Sequence, residues 1–355
     1  MSEAGELLSP RNNPHLVGHE AAERRFLEAW ESGRLAHAWL ISGPRGVGKA
    51  MLAFRIARFV LAGGGEQGMG LFGAPVRDGL AIPADDPVFR RVASGGHADL
   101  RVIERDWADA AQTRKKTEIS AEQARILPEF LSMTPAEGGW RVVIVDAVDE
   151  LNRYGANALL KPLEEPPQRT LMLLVCHAPG EVLPTIRSRC RQLRLSPLTD
   201  ETVAGLVQRY RPNVDAAQAG ELARLGEGSI GRALAFDSGG GLELHHDLER
   251  LLSSLPRLDI PALHAFADRA GKSDDTLRLT SELLSGWLAD RATGRVNATA
   301  QQGGLERWVE LWEKSRRSFE LTDALNLDRK QMVLNLFFAL EKEVRSASGA
   351  AGDRT

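Results

Sequence analysis

The sequence predicts an α/β fold with a parallel sheet, followed by a small helical segment and an all-α C-terminal region. Short apolar runs alternate with helical patterns through the first half of the chain, as they do where helices connect parallel strands. A glycine-rich loop follows the first of these runs directly. After Pro197 the strand patterns end and only helical periodicity continues.

Five apolar runs are predicted as strands, at residues 38–42, 100–104, 141–145, 171–176 and 192–195. A helix is expected at residues 20–32, where Phe26 and Trp30 belong to one apolar stripe. Between the second and third strands, Ser120 and Gln123 have the spacing of a capping box. That spacing predicts that another helix begins there.

The region after Pro197 is predicted to be helical throughout. Three short helices come first, at residues 200–210, 215–225 and 229–236. Residues 238–241 are Ser-Gly-Gly-Gly and predict a flexible linker. Beyond the linker, residues 332–340 are apolar on almost all sides, which indicates a helix buried against several neighbours.

The composition limits the classes of protein to consider. At 355 residues the chain is long enough for two or three domains, and its net charge of −3 shows no basic footprint of a nucleic-acid binder. The two cysteines, Cys176 and Cys190, exclude a disulfide scaffold and a four-cysteine zinc site, so no zinc is expected. No apolar run approaches the ~20 residues that span a membrane, and the N-terminus lacks a signal-peptide pattern. We therefore expect a cytoplasmic protein without membrane contact.

The loop Gly43-Pro-Arg-Gly-Val-Gly-Lys-Ala50 follows a predicted strand and precedes a predicted helix, the context that identifies a P-loop. Gly43, Gly46 and Gly48 allow backbone N–H groups to turn inward around phosphate oxygens, and Lys49 supplies a positive charge. The last position of the motif is normally Ser or Thr, whose hydroxyl binds magnesium. Ala50 cannot coordinate a metal ion, so no metal site is predicted. The cradle leaves weak binding of ATP, ADP or phosphate open, and we expect no required cofactor.

A second nucleotide-site residue is predicted where the third strand ends. The run Val142-Val-Ile-Val-Asp146 is apolar and ends in a carboxylate, as the strand facing the nucleotide does in P-loop proteins. Alone this pattern is weak, because many buried strands end in Asp, but beside a P-loop it indicates that Asp146 belongs to the site. Asp149 and Glu150 follow shortly and are expected to cap or solvate the next helix.

Further segments carry a family resemblance. Residues 157–161 are Asn-Ala-Leu-Leu-Lys, residues 163–167 are Leu-Glu-Glu-Pro-Pro, and Ser188-Arg-Cys190 follows later. Together they resemble the AAA+ clamp-loader subunits of bacterial DNA polymerase III. Val17-Gly-His19, upstream of His37, resembles the start of the same family, near its adenine pocket.

The resemblance implies a fold, a domain organisation and partners. It implies a RecA-like AAA+ P-loop domain at residues 1–196, a small helical lid at 197–237 and a helical collar that oligomerises at 242–346, before a disordered tail at 347–355. The matching motifs lie within residues 16–195, whereas the lid and collar match only in order and length. The implied partners are the other clamp-loader subunits, of the delta and gamma/tau types, and indirectly the sliding clamp and primed DNA.

In that family the Arg of the Ser-Arg-Cys motif reaches into the ATP site of a neighbouring subunit. The resemblance therefore implies that Arg189 is an arginine finger that acts in trans. A planar guanidinium can bind phosphate oxygens bidentately, and such fingers contribute about 10³–10⁵ in kcat. The alternative is a salt-bridged surface residue among Arg187, Arg191 and Arg194.

Four positions depart from the family's ATP-hydrolysing motor subunits. Ala50 lacks the magnesium ligand, and Ala147 stands where AAA+ ATPases have a Glu that polarises the attacking water. Gly231 replaces a sensing Arg, with Arg232 shifted by one position and so rotated by about 100° around a helix. His177 stands where the motors have a small polar residue. Loss of a positioned base alone costs about 10²–10⁴ in rate, so negligible hydrolysis is expected.

Two other functions stay open. One is an active ATPase motor of the gamma/tau type, against which Ala50 and Ala147 argue. Residues 63–96, a glycine- and proline-rich excursion where the motors usually carry a zinc module, contain no cysteine. The other is an unrelated P-loop kinase or transferase, which offers no account of Ser188-Arg-Cys190. The basic tract Arg114-Lys-Lys116 is a candidate DNA contact or a solvated loop.

Overall fold

The computed structural model describes residues 9–65, 79–108, 116–137, 139–238, 240–292, 305–325 and 327–352. It divides into two compact units, Met1–Ala233 and Leu234–Thr355. Residues 66–78 of the predicted excursion, Arg114 and Lys115 of the basic tract, and Gly239 of the predicted linker lie outside the described residues. The predicted division into residues 1–196, 197–237 and 242–346 stays a prediction.

The first unit alternates helices and strands before it becomes helical. Its elements are α1 (Glu20–Glu31), β1 (Ala38–Ser42), α2 (Lys49–Leu61), α3 (Pro87–Ser94), β2 (Leu100–Glu104), α4 (Ala121–Ser132), β3 (Arg141–Asp146), α5 (Arg153–Glu164), β4 (Thr170–Cys176), α6 (Pro184–Arg187), β5 (Arg191–Arg194), α7 (Asp200–Tyr210), α8 (Ala216–Gly226) and α9 (Ile230–Ser238). The boundary between the two units falls within α9.

The five strands form one parallel sheet in the order β2-β3-β4-β1-β5. Every residue of β1 and of β4 is buried, because helices cover both faces of the sheet's interior strands. The edge strand β5 buries only Leu193 of its four residues. The predicted α/β fold with a parallel sheet is therefore confirmed, and each predicted strand lies within one residue of its observed bounds.

Local capping chemistry starts the helices that flank the site. The Ser120 side chain accepts from the backbone N–H of Gln123, whose own side chain accepts from the Ser120 backbone, so the predicted capping box at the start of α4 is confirmed. The Asn152 side chain accepts from the N–H of Gly155 and starts α5. These caps fix where each helix leaves the sheet edge.

The three helices α7–α9 are called the lid below. Thr199 and Asp215 cap α7 and α8 through their side chains, as their residue types favour. The three helices predicted for this stretch are confirmed, with α7 at the predicted bounds and the other two shifted by one or two residues.

The elements that the structure describes in the second unit are all helices. Its helices, besides the end of α9, are α10 (Gly241–Ser254), α11 (Ile260–Ala270), α12 (Asp274–Ala292), α13 (Leu305–Leu325) and α14 (Arg329–Gly352). Trp287 on α12 and Trp308 on α13 meet edge to face with ring centroids 5.9 Å apart. In α14, Phe337 is fully buried while Phe338 is exposed. No helix among the described residues is long and apolar enough to cross a membrane.

The expectation of a flexible linker is corrected. Residues 238–241 do not form a flexible linker where they are described, because Ser238 ends α9 and Gly240 already caps α10. Gly241 lies so close to Phe236 that a Cβ there would approach the Phe236 backbone to 2.6 Å, so the glycine serves a tight turn. Helix α14 is drawn to Gly352, residues 353–355 lie outside the described residues, and the disordered tail at 347–355 stays a prediction.

Candidate functional site

The P-loop, residues 43–49, leaves the carboxyl end of β1. Strand β1 lies beside β4, with Ser42 paired to Cys176, and β4 lies beside β3, with Val175 paired to Asp146. The P-loop and Asp146 therefore lie at the same edge of the sheet, where ligands bind in open α/β folds. The structure thus brings five of the predicted site residues together: Gly43, Gly46, Gly48, Lys49 and Asp146.

The glycines of the loop are required by its backbone conformation. Gly46 has φ 75° and Gly48 has φ 114°, in the region that residues with a Cβ rarely adopt. Gly48 caps helix α2, which begins at Lys49. The N-terminus of α2 consequently points its positive end at the loop, as in a phosphate-binding site.

Lys49 is turned into its own loop. Its side chain is buried, and the ammonium Nζ donates to the carbonyl oxygens of Gly43 at 2.7 Å and Pro44 at 2.6 Å. Burial lowers the pKa of Lys49 to about 8, against the opposing effect of the Asp146 and Asp149 carboxylates. The hydrogen bonds of the ammonium in this structure are therefore made to the loop's own carbonyl oxygens.

Asp149 fastens the end of β4 to the site. Its two carboxylate oxygens accept from the backbone N–H groups of His177 at 2.9 Å and Ala178 at 3.1 Å. Burial, followed by the positive charges of Lys49 and Arg45, lowers the pKa of His177 to about 4. The imidazole is therefore neutral at pH 7 and offers no positive charge to a phosphate.

Glu150 forms an ion pair with the P-loop and does not cap helix α5. Its carboxylate pairs with Arg45 of the loop and with Arg105 Nε at 2.8 Å, just after β2. The expectation that Asp149 and Glu150 cap or solvate the following helix is wrong, because Asn152 supplies that cap. Two basic side chains draw Glu150 toward the loop.

The catalytic chemistry of an ATPase is missing at two positions. Ala50 carries no oxygen for a metal ion, and Ala147 is buried with only 1% of its surface exposed. No described group of three or more His, Cys, Asp or Glu side chains is arranged to hold a metal ion. Position 50 therefore offers no side-chain oxygen to a magnesium ion, and position 147 offers no carboxylate to an attacking water molecule.

The lid closes directly onto the P-loop. The Ser229 hydroxyl donates to the Arg45 carbonyl at 2.8 Å, and the Gly231 N–H donates to the Gly46 carbonyl at 3.0 Å. A Cβ at Gly231 would come within 2.8 Å of the Gly46 Cα. We call this contact between residues 229–231 and 45–46 the lid seat. At the lid seat the backbone of Gly231 packs against the backbone of Gly46 in the P-loop.

Gly18, His19 and His37, which resemble residues near the family's adenine pocket, do not lie together. His19 Nε2 makes a hydrogen bond of 2.7 Å with the Val47 carbonyl, so it supports the P-loop from behind. A Cβ at Gly18 would come within 2.4 Å of Leu198, at the start of the lid. His37 precedes β1 and instead bonds the Leu163 carbonyl at 3.1 Å, at the opposite edge of the sheet.

Arg232 does not replace the sensing Arg that Gly231 lacks. Its Nη1 donates to Glu227 Oε2 at 2.5 Å, within the lid. A shift of one position rotates this side chain by about 100° around helix α9, and the side chain bonds Glu227 from that position. The sensing position is therefore occupied by the backbone of Gly231.

Arg189 lies far from its own P-loop. It precedes β5, whose first residue Arg191 pairs with Trp39 near the start of β1, so it sits at the amino edge of the sheet. The length of β1 separates that edge from the P-loop by on the order of 15 Å. Nη1 of Arg189 donates to the Thr185 carbonyl at 2.9 Å, and Nη2 pairs with Glu164 at 2.9 Å.

A family model described as "DNA polymerase III, delta subunit" matches residues 18–199, slightly more than half of the chain. The match covers the P-loop, the end of β3 and the Ser188-Arg-Cys190 motif. The chain belongs to this family. The resemblance to DNA polymerase III clamp-loader subunits, predicted from short motifs, is thereby confirmed at the level of the family.

Relatives within DNA polymerase III are of two kinds. The delta' subunit of Pseudomonas aeruginosa is 34% identical over 195 residues, which are 55% of this chain and 53% of that protein. The tau subunit of Escherichia coli is 32% identical over 231 residues, which are 64% of this chain and 32% of that protein. A solved structure of a gamma subunit-related protein from Thermotoga maritima is 16% identical, with a TM-score of 0.47 over 92% of this chain and 99% of that chain. The chain thus spans about half or less of these curated relatives' length.

For this member of the DNA polymerase III delta-subunit family, the polar contacts around the loop were not predictable. Ser229 is 184 residues from Arg45 in the chain, and Glu150 is 105 residues from it. No local spacing signals such pairs, since the fold alone brings them together. The weak signal for the lid seat was the pair of glycines Gly228 and Gly231, at the start of the helix predicted for residues 229–236.

Proposed function

We propose that this chain is a delta prime-type subunit of the DNA polymerase III clamp loader. In this role it does not hydrolyse ATP itself. It supplies Arg189 in trans to the ATP site of a neighbouring subunit while the loader places the sliding clamp on primed DNA. The proposed partners are the delta-type and gamma/tau-type subunits, with the all-α unit as the assembly surface.

The observation that carries the proposal is the closed nucleotide site. Lys49 donates to the carbonyls of its own loop, and Gly231 of the lid donates to Gly46. A phosphate would have to compete with these loop carbonyl oxygens for the Lys49 ammonium, in a site that lacks a hydroxyl at Ala50 and a carboxylate at Ala147. Such an arrangement suits a rigid member of an assembly better than an ATP-driven one.

The position of Arg189 supports an action on another subunit. At the amino edge of the sheet it cannot serve the chain's own P-loop, which lies at the carboxyl edge. A guanidinium presented at the far edge can contribute only to a site that a second molecule brings to it. This geometry supports the trans role implied by the Ser188-Arg-Cys190 motif.

An ATP-hydrolysing motor of the gamma/tau type is the second candidate, because tau subunits are among the relatives at similar identity. The two functions differ in one measurable property. We expect the purified chain to show no ATP turnover, with or without DNA, because it lacks both the metal-binding hydroxyl and the water-polarising carboxylate. A steady-state phosphate-release assay checks this expectation. Turnover of a few per second, as in ordinary enzymes, would establish the motor instead.

Nucleotide binding provides an independent test of the closed site. We expect ATP and ADP to bind weakly, with little dependence on magnesium, because the backbone cradle and Lys49 are present while the metal ligand is not. Isothermal titration calorimetry with and without magnesium measures the affinity for ATP and ADP. Lys49→Ala should remove any binding that is detected. Tight binding that strictly requires magnesium would show that another group replaces the missing ligand.

A further inference from the structure

We propose that Glu164 restrains Arg189 and competes with the neighbouring subunit's phosphate for it. Arg189 is held by an ion pair within its own chain. It reaches the neighbour only when its guanidinium exchanges the Glu164 carboxylate for a phosphate. The inference rests on the proposed trans role of Arg189. It adds a residue that sets how readily the finger engages.

Both terminal nitrogens of the Arg189 guanidinium are already engaged within the chain. Nη2 pairs with Glu164 Oε1 at 2.9 Å. Nη1 donates to the Thr185 carbonyl at 2.9 Å and approaches the Ser188 hydroxyl at 3.4 Å. A bidentate grip on a phosphate uses two such N–H groups together. Glu164 therefore occupies part of the fork that the finger needs.

The placement of Glu164 explains why it attracts a cation. It is the last residue of α5, where the helix carries the negative end of its dipole, so a carboxylate there is unfavourable without a positive partner. Arg189 supplies that charge from the loop between α6 and β5. A phosphate arriving at Arg189 would be repelled by Glu164 for as long as the carboxylate stayed beside it.

The restraint is weak enough to be reversible. The side chains of Arg189 and Glu164 are 35% and 51% exposed, so water screens their attraction. Pairs of this kind shift an equilibrium by about two- to five-fold. That is enough to tune the engagement of a finger without locking it.

The test is Glu164→Gln in a reconstituted clamp loader whose only intact ATP site is the one that faces Arg189. Removing the competing charge should raise kcat at that site by about two- to five-fold, because the finger no longer has to break the ion pair before it stabilises the transferring phosphoryl group. Glu165→Gln, on the adjacent exposed residue, is the matched control and should behave as wild type. In an Arg189→Ala background, Glu164→Gln should change nothing further.

The outcomes separate this inference from the proposed function. If Glu164→Gln lowers kcat as Arg189→Ala does, Glu164 orients the finger rather than restraining it, and the inference is wrong. A kcat equal to wild type also overturns it. If Arg189→Ala itself leaves turnover unchanged, the trans role fails first, and the restraint fails with it.

Discussion

Arg189→Ala should slow ATP turnover by the assembled loader while leaving the subunit folded and incorporated. The guanidinium would stabilise charge that develops on the transferring phosphoryl group, a contribution of about 10³–10⁵ in kcat at the one site it serves. Folding should be unaffected, because an exposed ion pair such as that with Glu164 contributes only about 0–1 kcal/mol. The measurement is DNA- and clamp-stimulated ATP turnover at matched assembly.

The bulk loss should be partial, since the other ATP sites would keep fingers from other subunits. Arg189→Lys should recover little, because an ammonium cannot reproduce the bidentate fork. Arg187→Ala is the matched control: Arg187 is an exposed neighbour that donates to the Pro179 carbonyl, and its loss should leave turnover unchanged. Wild-type turnover and clamp loading in Arg189→Ala would remove the trans role and leave a scaffold.

The sheet could be predicted from the sequence because its interior strands are buried on both faces. Burial of β1 and β4 requires continuous apolar runs, which can be recognised in the sequence and have clear ends. The P-loop was equally visible, since its glycines are dictated by backbone conformation rather than by distant contacts. The strands and the P-loop could therefore be predicted because each depends on burial or backbone conformation within a short segment.

The closed state of the site was not visible, because it depends on contacts between distant segments. The glycines Gly228 and Gly231 hint at a close contact, but nothing local identifies Gly46 as the partner, and the absence of a sensing Arg indicated only a lost function. The glycine run at residues 238–241 led to a wrong prediction of a flexible linker. Its composition is typical of a linker, yet Gly241 is needed where the chain turns back on Phe236.

Gly231→Ala should destabilise the first unit, although alanine is the better helix former. Gly231 lies in the first turn of α9, where alanine would ordinarily gain a fraction of a kcal/mol. The added Cβ would lie 2.8 Å from the Gly46 Cα and 3.2 Å from its carbonyl oxygen, so backbone would have to shift. Overpacking of this kind costs about 1–3 kcal/mol, or about 2–4 °C of Tm per kcal/mol in a domain of this size. Thermal unfolding followed by circular dichroism measures the shift.

Gly220→Ala provides the control with the opposite sign. Gly220 lies within α8, in the same unit, and a Cβ there would meet nothing within 4 Å. Alanine at that position should raise the Tm, because it removes a helix-interior glycine that costs about 0.5–1 kcal/mol. Two glycine-to-alanine changes in one lid should therefore move stability in opposite directions. If Gly231→Ala stabilised the protein as Gly220→Ala does, then α9 would not rest on the P-loop in solution, and the contact between Gly231 and Gly46 would have to be abandoned.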